Sequence, residues 1–190
     1  AKATEAVALN FAYYFRDESA AAAIMQNADN LADERAFTEY GDPSYPYITD
    51  QEWQDYTTAL QAYQAAGGAA FFIDEEPATT VTRAQMQWAL ANYLLVRGRY
   101  TYLSVTGVQQ YGYFFDHPEY HVVLGTASGA MTTDGCLYRR DFSHGVVFVN
   151  STSDLTCPVS LPAHTYVDLY GNAVTSLTLQ PKSAIVLVHR

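Results

Sequence analysis

Three consecutive acidic residues, Asp74, Glu75 and Glu76, follow the apolar run AAFFI at residues 69–73. Carboxyl groups can donate or accept protons, and two of them in one cleft can act as general acid and as base or nucleophile. Side chains alternate along a strand, so at most two of the three can face the same cleft. The structural alternative is that acids just before a helix stabilise the positive end of its dipole.

The elements that must position these acids alternate between helix and strand in residues 1–107. In order, we predict a helix over 4–16, a strand over 20–27, a helix from the capping box Thr49–Glu52, a strand over 71–73, a helix from the capping box Thr82–Gln85 and a strand over 100–105. The alanine-rich segment 20–27 also fits a helix, and a strand is preferred because it completes a β-α-β-α-β series. This alternation predicts a parallel sheet.

Residues 108–190 are predicted to be antiparallel β-structure. Short strands are expected over 120–124, 136–142, 146–150, 157–161, 165–170, 175–179 and 183–189. Seven strands of this length favour a β-sandwich. The predicted fold class is therefore α/β plus all-β, with one domain over 1–107 and an antiparallel β-sandwich domain over 108–190.

Composition and spacing exclude several kinds of ligand. The chain has 20 acidic and 10 basic side chains, a net charge of −10, which disfavours nucleic acid and anionic membrane surfaces. No apolar run is long enough to span a bilayer, so no membrane insertion is expected. His117 and His121, near Asp116 and Glu119, would lie about 13 Å apart in an extended chain, so no metal site is predicted. No nucleotide or phosphate motif is present, and no cofactor is expected.

Two features indicate an extracellular protein. Cys136 and Cys157 are too few for a structural zinc site, and each begins a predicted strand, so we expect a disulfide; two buried thiols are the alternative. Asn150 begins the N-glycosylation sequon Asn150-Ser151-Thr152 at a strand end, where a glycan would be exposed. A secreted glycoprotein is therefore predicted.

Five motifs carry a resemblance to a known family. YRRDF (138–142), GVVFVN (145–150), YVDLYG (166–171) and LQPKSAIVLV (179–188) resemble, in order and spacing, the C-terminal end of glycoside hydrolases in which a TIM barrel precedes a β-sandwich. ALANYLLVRGRYTYLSV (89–105) is similar to the last helix and strand of such a barrel. The resemblance implies that residues 1–107 are terminal β/α units of a TIM-like barrel.

The resemblance also implies a carbohydrate ligand and a location for its site. Active sites of these barrels lie at the carboxyl ends of the strands, so the candidate catalytic residues are Glu39, Asp74 and Glu75. The candidate substrate-binding residues, whose rings can stack on sugars, are Tyr40, Tyr45 and Tyr47.

The length of the first part limits what the chain can do alone. A closed barrel takes about 250 residues, far more than the segment 1–107 supplies. Our leading hypothesis is the C-terminal portion of a secreted glycoside-hydrolase-like protein that acts on carbohydrate, is not catalytically complete alone and is completed by the missing barrel portion. The alternative is a non-enzymatic extracellular structural or self-assembling subunit, because open sheet edges invite pairing with copies of the chain.

A third hypothesis, a carbohydrate-binding module, rests on a group of aromatic residues near the predicted domain boundary. They are Tyr111, Tyr113, Phe114 and Phe115. Their alternative role is packing between the two domains.

Overall fold

The computed structural model describes residues 8–10, 18–39, 42–110 and 112–190. The fold is mixed α/β. Contacts between residues divide the chain into two compact units. The first unit is Ala1–Thr80 with Arg97–Phe114, and the second is Val81–Val96 with Phe115–Arg190. The predicted domain boundary after residue 107 stays a prediction. None of the described helices is long and apolar enough to cross a membrane.

The first unit is built on a parallel sheet. Its elements are β1 (Ala8–Asn10), α1 (Glu18–Asn27), β2 (Asn30–Asp33), α2 (Asp50–Ala65), β3 (Ala69–Glu76) and β4 (Thr101–Gly107). The strands pair in the order β1-β2-β3-β4 and every pair is parallel, which confirms the predicted parallel sheet. Among the described residues this sheet does not close into a barrel.

Two predictions for the N-terminal region are wrong. Residues 20–27 lie in α1, because four consecutive alanines favour a helix more strongly than any other residue type. The strand expected there is β2, which begins three residues later and buries Leu31 and Asp33. The predicted helix over 4–16 is wrong at β1, and the rest of that segment lies outside the described residues.

Helix α2 covers one face of β3. The predicted capping box is confirmed, since Glu52 N–H donates to the Thr49 hydroxyl at 3.2 Å and Thr49 N–H donates to the Glu52 carboxylate at 3.0 Å. The buried ring of Tyr56 packs edge-on against Phe72 of β3, with ring centres 6.2 Å apart. Phe72 and the residues that share its side of β3 therefore face α2.

The second unit combines one helix with antiparallel strands. Its elements are α3 (Arg83–Val96), β5 (Thr132–Asp134), β6 (Leu137–Phe142), β7 (Gly145–Asn150), β8 (Cys157–Val159), β9 (Tyr166–Asp168), β10 (Ala173–Val174), β11 (Leu177–Leu179) and β12 (Ser183–His189). Six strands pair in the order β10-β9-β12-β7-β6-β5, and β11 pairs with β8. The predicted antiparallel sheets are confirmed, and their arrangement as a sandwich stays a prediction.

One predicted strand of this unit is absent. Residues 120–124 do not pair in a sheet, and the chain forms a short 3₁₀ helix over Pro118–His121 instead. Pro118 fixes its own φ and has no N–H, so it favours the first turn of a helix.

Arginine side chains of β6 have two different roles. The Arg140 guanidinium donates to the carbonyls of Leu94 and Leu95, both at 3.0 Å, and so stabilises the last turn of α3. Arg139 points to the other side of the strand and pairs with Asp141 at 2.7 Å.

The predicted disulfide between Cys136 and Cys157 is confirmed. It joins the residue before β6, in the six-stranded sheet, to the first residue of β8, in the two-stranded sheet. Cys157 is fully buried in the same apolar cluster as Phe148 and Leu187. The bond therefore links the two sheets through the core of the second unit.

We expect reduction of this disulfide to lower the free energy of unfolding of the second unit by about 3 kcal/mol, because it closes a loop with a sequence separation of 21 residues. Urea unfolding with and without reductant measures the loss. A double Cys136→Ala, Cys157→Ala variant is the control and should not respond to reductant. Equal stability of the oxidised and reduced protein would contradict this role.

Candidate functional site

The carboxyl edge of the parallel sheet gathers four buried acids. Asp33 ends β2, and Asp74, Glu75 and Glu76 end β3. All four are between 0% and 4% exposed. Alternation along β3 places Asp74 and Glu76 on the α2 side with Phe72, and Glu75 on the opposite side. The three consecutive acids are therefore divided between the two faces of the sheet.

Asp74 is held by the loop that follows β2. Its Oδ1 accepts the Phe37 N–H at 2.9 Å, whereas its buried Oδ2 has no hydrogen-bond partner among the described residues. Burial and the nearby Glu76 carboxylate raise the pKa of Asp74 well above its usual range, against the opposing effect of the Phe37 N–H. Burial therefore shifts the proton equilibrium of Asp74 towards its protonated form.

Asp33 organises the start of the same loop. Its Oδ1 accepts the N–H groups of Arg35 at 2.9 Å and Ala36 at 3.1 Å. Ala36 has a φ of 42°, a left-handed conformation that is strained for a residue with a side chain. Burial still raises the pKa of Asp33, although these bonds and the Tyr56 hydroxyl lower it.

Arg35 is a buried cation that joins this loop to α2. Its guanidinium forms ion pairs with Glu39 and, at 3.1 Å, with Glu52. Burial alone would raise the pKa of Glu52, but the Thr49 N–H and Arg35 lower it to about 2. Glu39, a predicted catalytic acid, thus lies in an ion pair at the sheet's carboxyl edge.

Glu75 lies on the face of β3 opposite α2. Its Oε1 accepts the Gln109 N–H at 3.0 Å, and Gln109 adopts a left-handed φ of 65° in the loop after β4. Two residues of the same face, Phe71 and its register neighbour Tyr102, are 39% and 58% exposed. Glu75 is therefore the acid of β3 that shares a face with solvent-accessible side chains.

The predicted substrate-binding tyrosines have different environments. Tyr47 is half-buried and forms a β-bridge with Thr38. Burial and the nearby carboxylates of Glu76 and Asp74 raise the pKa of Tyr47 to about 12. Tyr45 is 73% exposed. Tyr40 lies outside the described residues.

Of the residues considered as metal ligands, Asp116 and His121 are exposed, and His117 and Glu119 are half-buried. His121 pairs with Asp116 at 2.8 Å, and both side chains are exposed. In the part of the chain that the structure describes, no three His, Cys, Asp or Glu side chains are placed to hold a metal ion.

Asn150 of the sequon is fully buried. Its amide nitrogen donates to the carbonyls of Leu155 at 2.7 Å, Gln180 at 3.0 Å and Leu179 at 3.3 Å, while its oxygen accepts from Thr152. A glycan would occupy the same nitrogen and displace these bonds. Glycosylation stays a prediction, and the folded structure gives Asn150 a role in joining two loops to β7.

Sequence patterns do not identify Asp33, Arg35 and Glu52 as members of the site. The strand predicted over 20–27 ends six residues before Asp33, so no predicted strand end points to this residue. Glu52 was recognised as a cap, but its ion pair with Arg35 spans 17 residues and has no local signal. The preference of buried carboxylates for a cation is the general rule that points to Arg35.

We expect Asn150→Asp to destabilise the second unit by about 3 kcal/mol, because carboxylate oxygens would face three carbonyl oxygens in a buried site. Chemical denaturation measures the change. Thr152→Ala also removes the sequon but keeps the three hydrogen bonds donated by the Asn150 amide, so it should lower the free energy of unfolding by less. A stable Asn150→Asp protein would contradict the proposed role of the amide.

We expect Asp74→Asn to fold, and its stability relative to the parent to increase as pH rises. The raised pKa of Asp74 makes the protonated form the one that favours folding, so the parent loses stability as the pH rises above the carboxyl group's unfolded value, whereas asparagine does not titrate. Urea unfolding at pH 4.5 and 7.5 tests this, with the exposed Asp154→Asn as control. A pH-independent difference would contradict a raised pKa.

Comparison with known protein families identifies one family that matches most of the chain. Residues 17–146 match the family described as hypothetical glycosyl hydrolase family 15. The matched segment contains the acids of β2 and β3, the loop after β2 and the loop after β4. No curated protein matches the chain. Because the family match covers more than half of the sequence, the chain belongs to hypothetical glycosyl hydrolase family 15.

Proposed function

We propose that this chain acts on carbohydrate as part of an extracellular glycoside-hydrolase-like protein. This proposal rests on the position of Glu75, which lies at the carboxyl end of a parallel strand and on the face with exposed side chains. Glu75 also lies within the segment that matches the family. In this proposal β1 to β4 are terminal units of a (β/α) barrel, and the antiparallel strands form a C-terminal sandwich. The disulfide supports an extracellular location.

Glu75 is the proposed proton-transferring group. The Gln109 N–H fixes its carboxylate, and a fixed carboxyl group can protonate a leaving oxygen or activate water. Glycoside hydrolysis needs a second carboxyl group, and Glu39 is the candidate within this chain because it lies on the loop after the neighbouring strand. Arg35 holds Glu39 in place through their ion pair.

The acids on the α2 side have a structural role in this proposal. Asp33 and Asp74 bind backbone N–H groups at the start of the loop after β2. They fix the loop that carries Glu39 and Tyr45. Asp74→Asn should therefore preserve activity, whereas Glu75→Gln should not.

The non-enzymatic alternative rests on the exposed strand face. Phe71 and Tyr102 are neighbours in register and both are accessible to solvent, so another layer of protein could cover them. Either a second copy of the chain or further barrel strands could cover this face. A regular homopolymer in native mass spectrometry of the natural material would favour this alternative over the enzyme.

The enzyme proposal is tested by the release of reducing ends from polysaccharides by the natural polypeptide that contains this chain. We expect Glu75→Gln to lower the rate by about 10²-fold or more, as loss of a general acid or base does, with little change in stability. Asp74→Asn is the matched control on the other face of β3. Unchanged activity of Glu75→Gln, or no release from any substrate, would overturn the proposal.

A further inference from the structure

Three aromatic rings are exposed on loops at the carboxyl edge of the parallel sheet. Tyr45 is 73%, Tyr113 68% and Phe114 75% exposed, the highest values among the Phe, Tyr and Trp residues that the structure describes. Tyr45 lies in the loop between β2 and α2, and the other two lie in the segment after β4. β2 and β4 are the two neighbours of β3, which ends with the acids.

Hydrogen bonds hold both loops near the ends of their strands. In the segment after β4, the Gln110 N–H donates to the Gly107 carbonyl and the Tyr113 N–H donates to the Gln110 carbonyl, each at 3.1 Å, and these bonds keep Tyr113 close to the strand end. In the loop after β2, the β-bridge between Thr38 and Tyr47 fixes the return of the chain beside Tyr45. The two segments that carry the rings therefore follow the strands on either side of β3.

The residues that immediately precede these rings in the sequence are exposed, which suits a sugar ligand better than burial in a protein core. Exposed Asp42 and Ser44 precede Tyr45, and exposed Gln109 and Gly112 precede Tyr113. Apolar ring faces among a few polar groups are typical of small-molecule sites, in which the rings cover C–H surfaces and the polar groups bind hydroxyls. Phe71 and Tyr102, by contrast, lie within strands of the sheet and not on its loops.

We propose that Tyr45, Tyr113 and Phe114 form an aromatic platform that binds an uncharged polysaccharide chain across the carboxyl edge of the sheet. The inference rests on the proposed carbohydrate function and specifies its ligand. Two strand spacings place the two loops on the order of 10 Å apart, so they contact different sugar units of one chain. The net charge of −10 disfavours an acidic polysaccharide.

Calorimetric titration of the purified chain tests the platform. The probes are uncharged hexasaccharides of glucose, mannose, xylose and N-acetylglucosamine, with an oligogalacturonate as the acidic probe. We expect at least one uncharged probe to bind, and Tyr45→Ala, Tyr113→Ala and Phe114→Ala each to weaken it about tenfold, since each removes one ring face from the contact.

The matched control is Tyr100→Ala. Tyr100 is 45% exposed and precedes β4, at the opposite end of the strand, so its removal should leave binding unchanged. Circular dichroism confirms that all four variants fold. The platform is overturned if no uncharged probe binds, if the acidic probe binds most tightly, if the three variants bind like the parent, or if Tyr100→Ala weakens binding equally.

This test separates the platform from the proposed enzyme activity. Binding that depends on the three rings, without hydrolysis of any polysaccharide, would support the platform and reject the activity. Hydrolysis that depends on Glu75, with normal binding and turnover by the three ring variants, would support the activity and reject the platform.

Discussion

Burial of carboxyl groups at the ends of β2 and β3 is the constraint on which the first unit depends. A buried carboxylate without compensating partners is strongly unfavourable, so the chain after β2 must supply donors. Arg35 and Ala36 provide N–H groups to Asp33, and Phe37 provides one to Asp74. At Asp74 the Phe37 N–H and the Thr38 side chain offset burial only in part, so the pKa of this carboxyl group is raised well above its usual range.

The same constraint determines where the candidate site lies. Residues 35–37 are fixed by the acids, and the Arg35 side chain joins Glu39 to Glu52 at the start of α2. The loop between β2 and α2 is thus fixed at both ends, and its middle carries Tyr45 to the surface. On the other face, the Gln109 N–H ties Glu75 to the loop after β4. Alternation along β3 therefore separates Asp74 and Glu76 from Glu75.

Local patterns in the sequence predicted most of the elements, and long-range contacts account for what they missed. The capping boxes located α2 and α3, and the run of apolar residues located β3, because these signals lie within a few residues of each other. The sequence pattern does not locate β2, because this strand is short and half polar. Its pairing with β1 and β3 defines it instead. The burial of Asn150 and the bonds of Arg140 to α3 depend on segments 5 to 46 residues away.

The central claim is that carbohydrate binds at the carboxyl edge of the parallel sheet, on the side of Glu75. Amide chemical-shift mapping of the isotopically labelled chain, titrated with the uncharged hexasaccharide that binds most tightly, tests it most directly. We predict that the largest shifts occur at Gln109, Tyr113 and Tyr45, around the ends of β2, β3 and β4. Shifts confined to Leu137–His189 in the second unit, or no shifts with any uncharged hexasaccharide, would contradict the account.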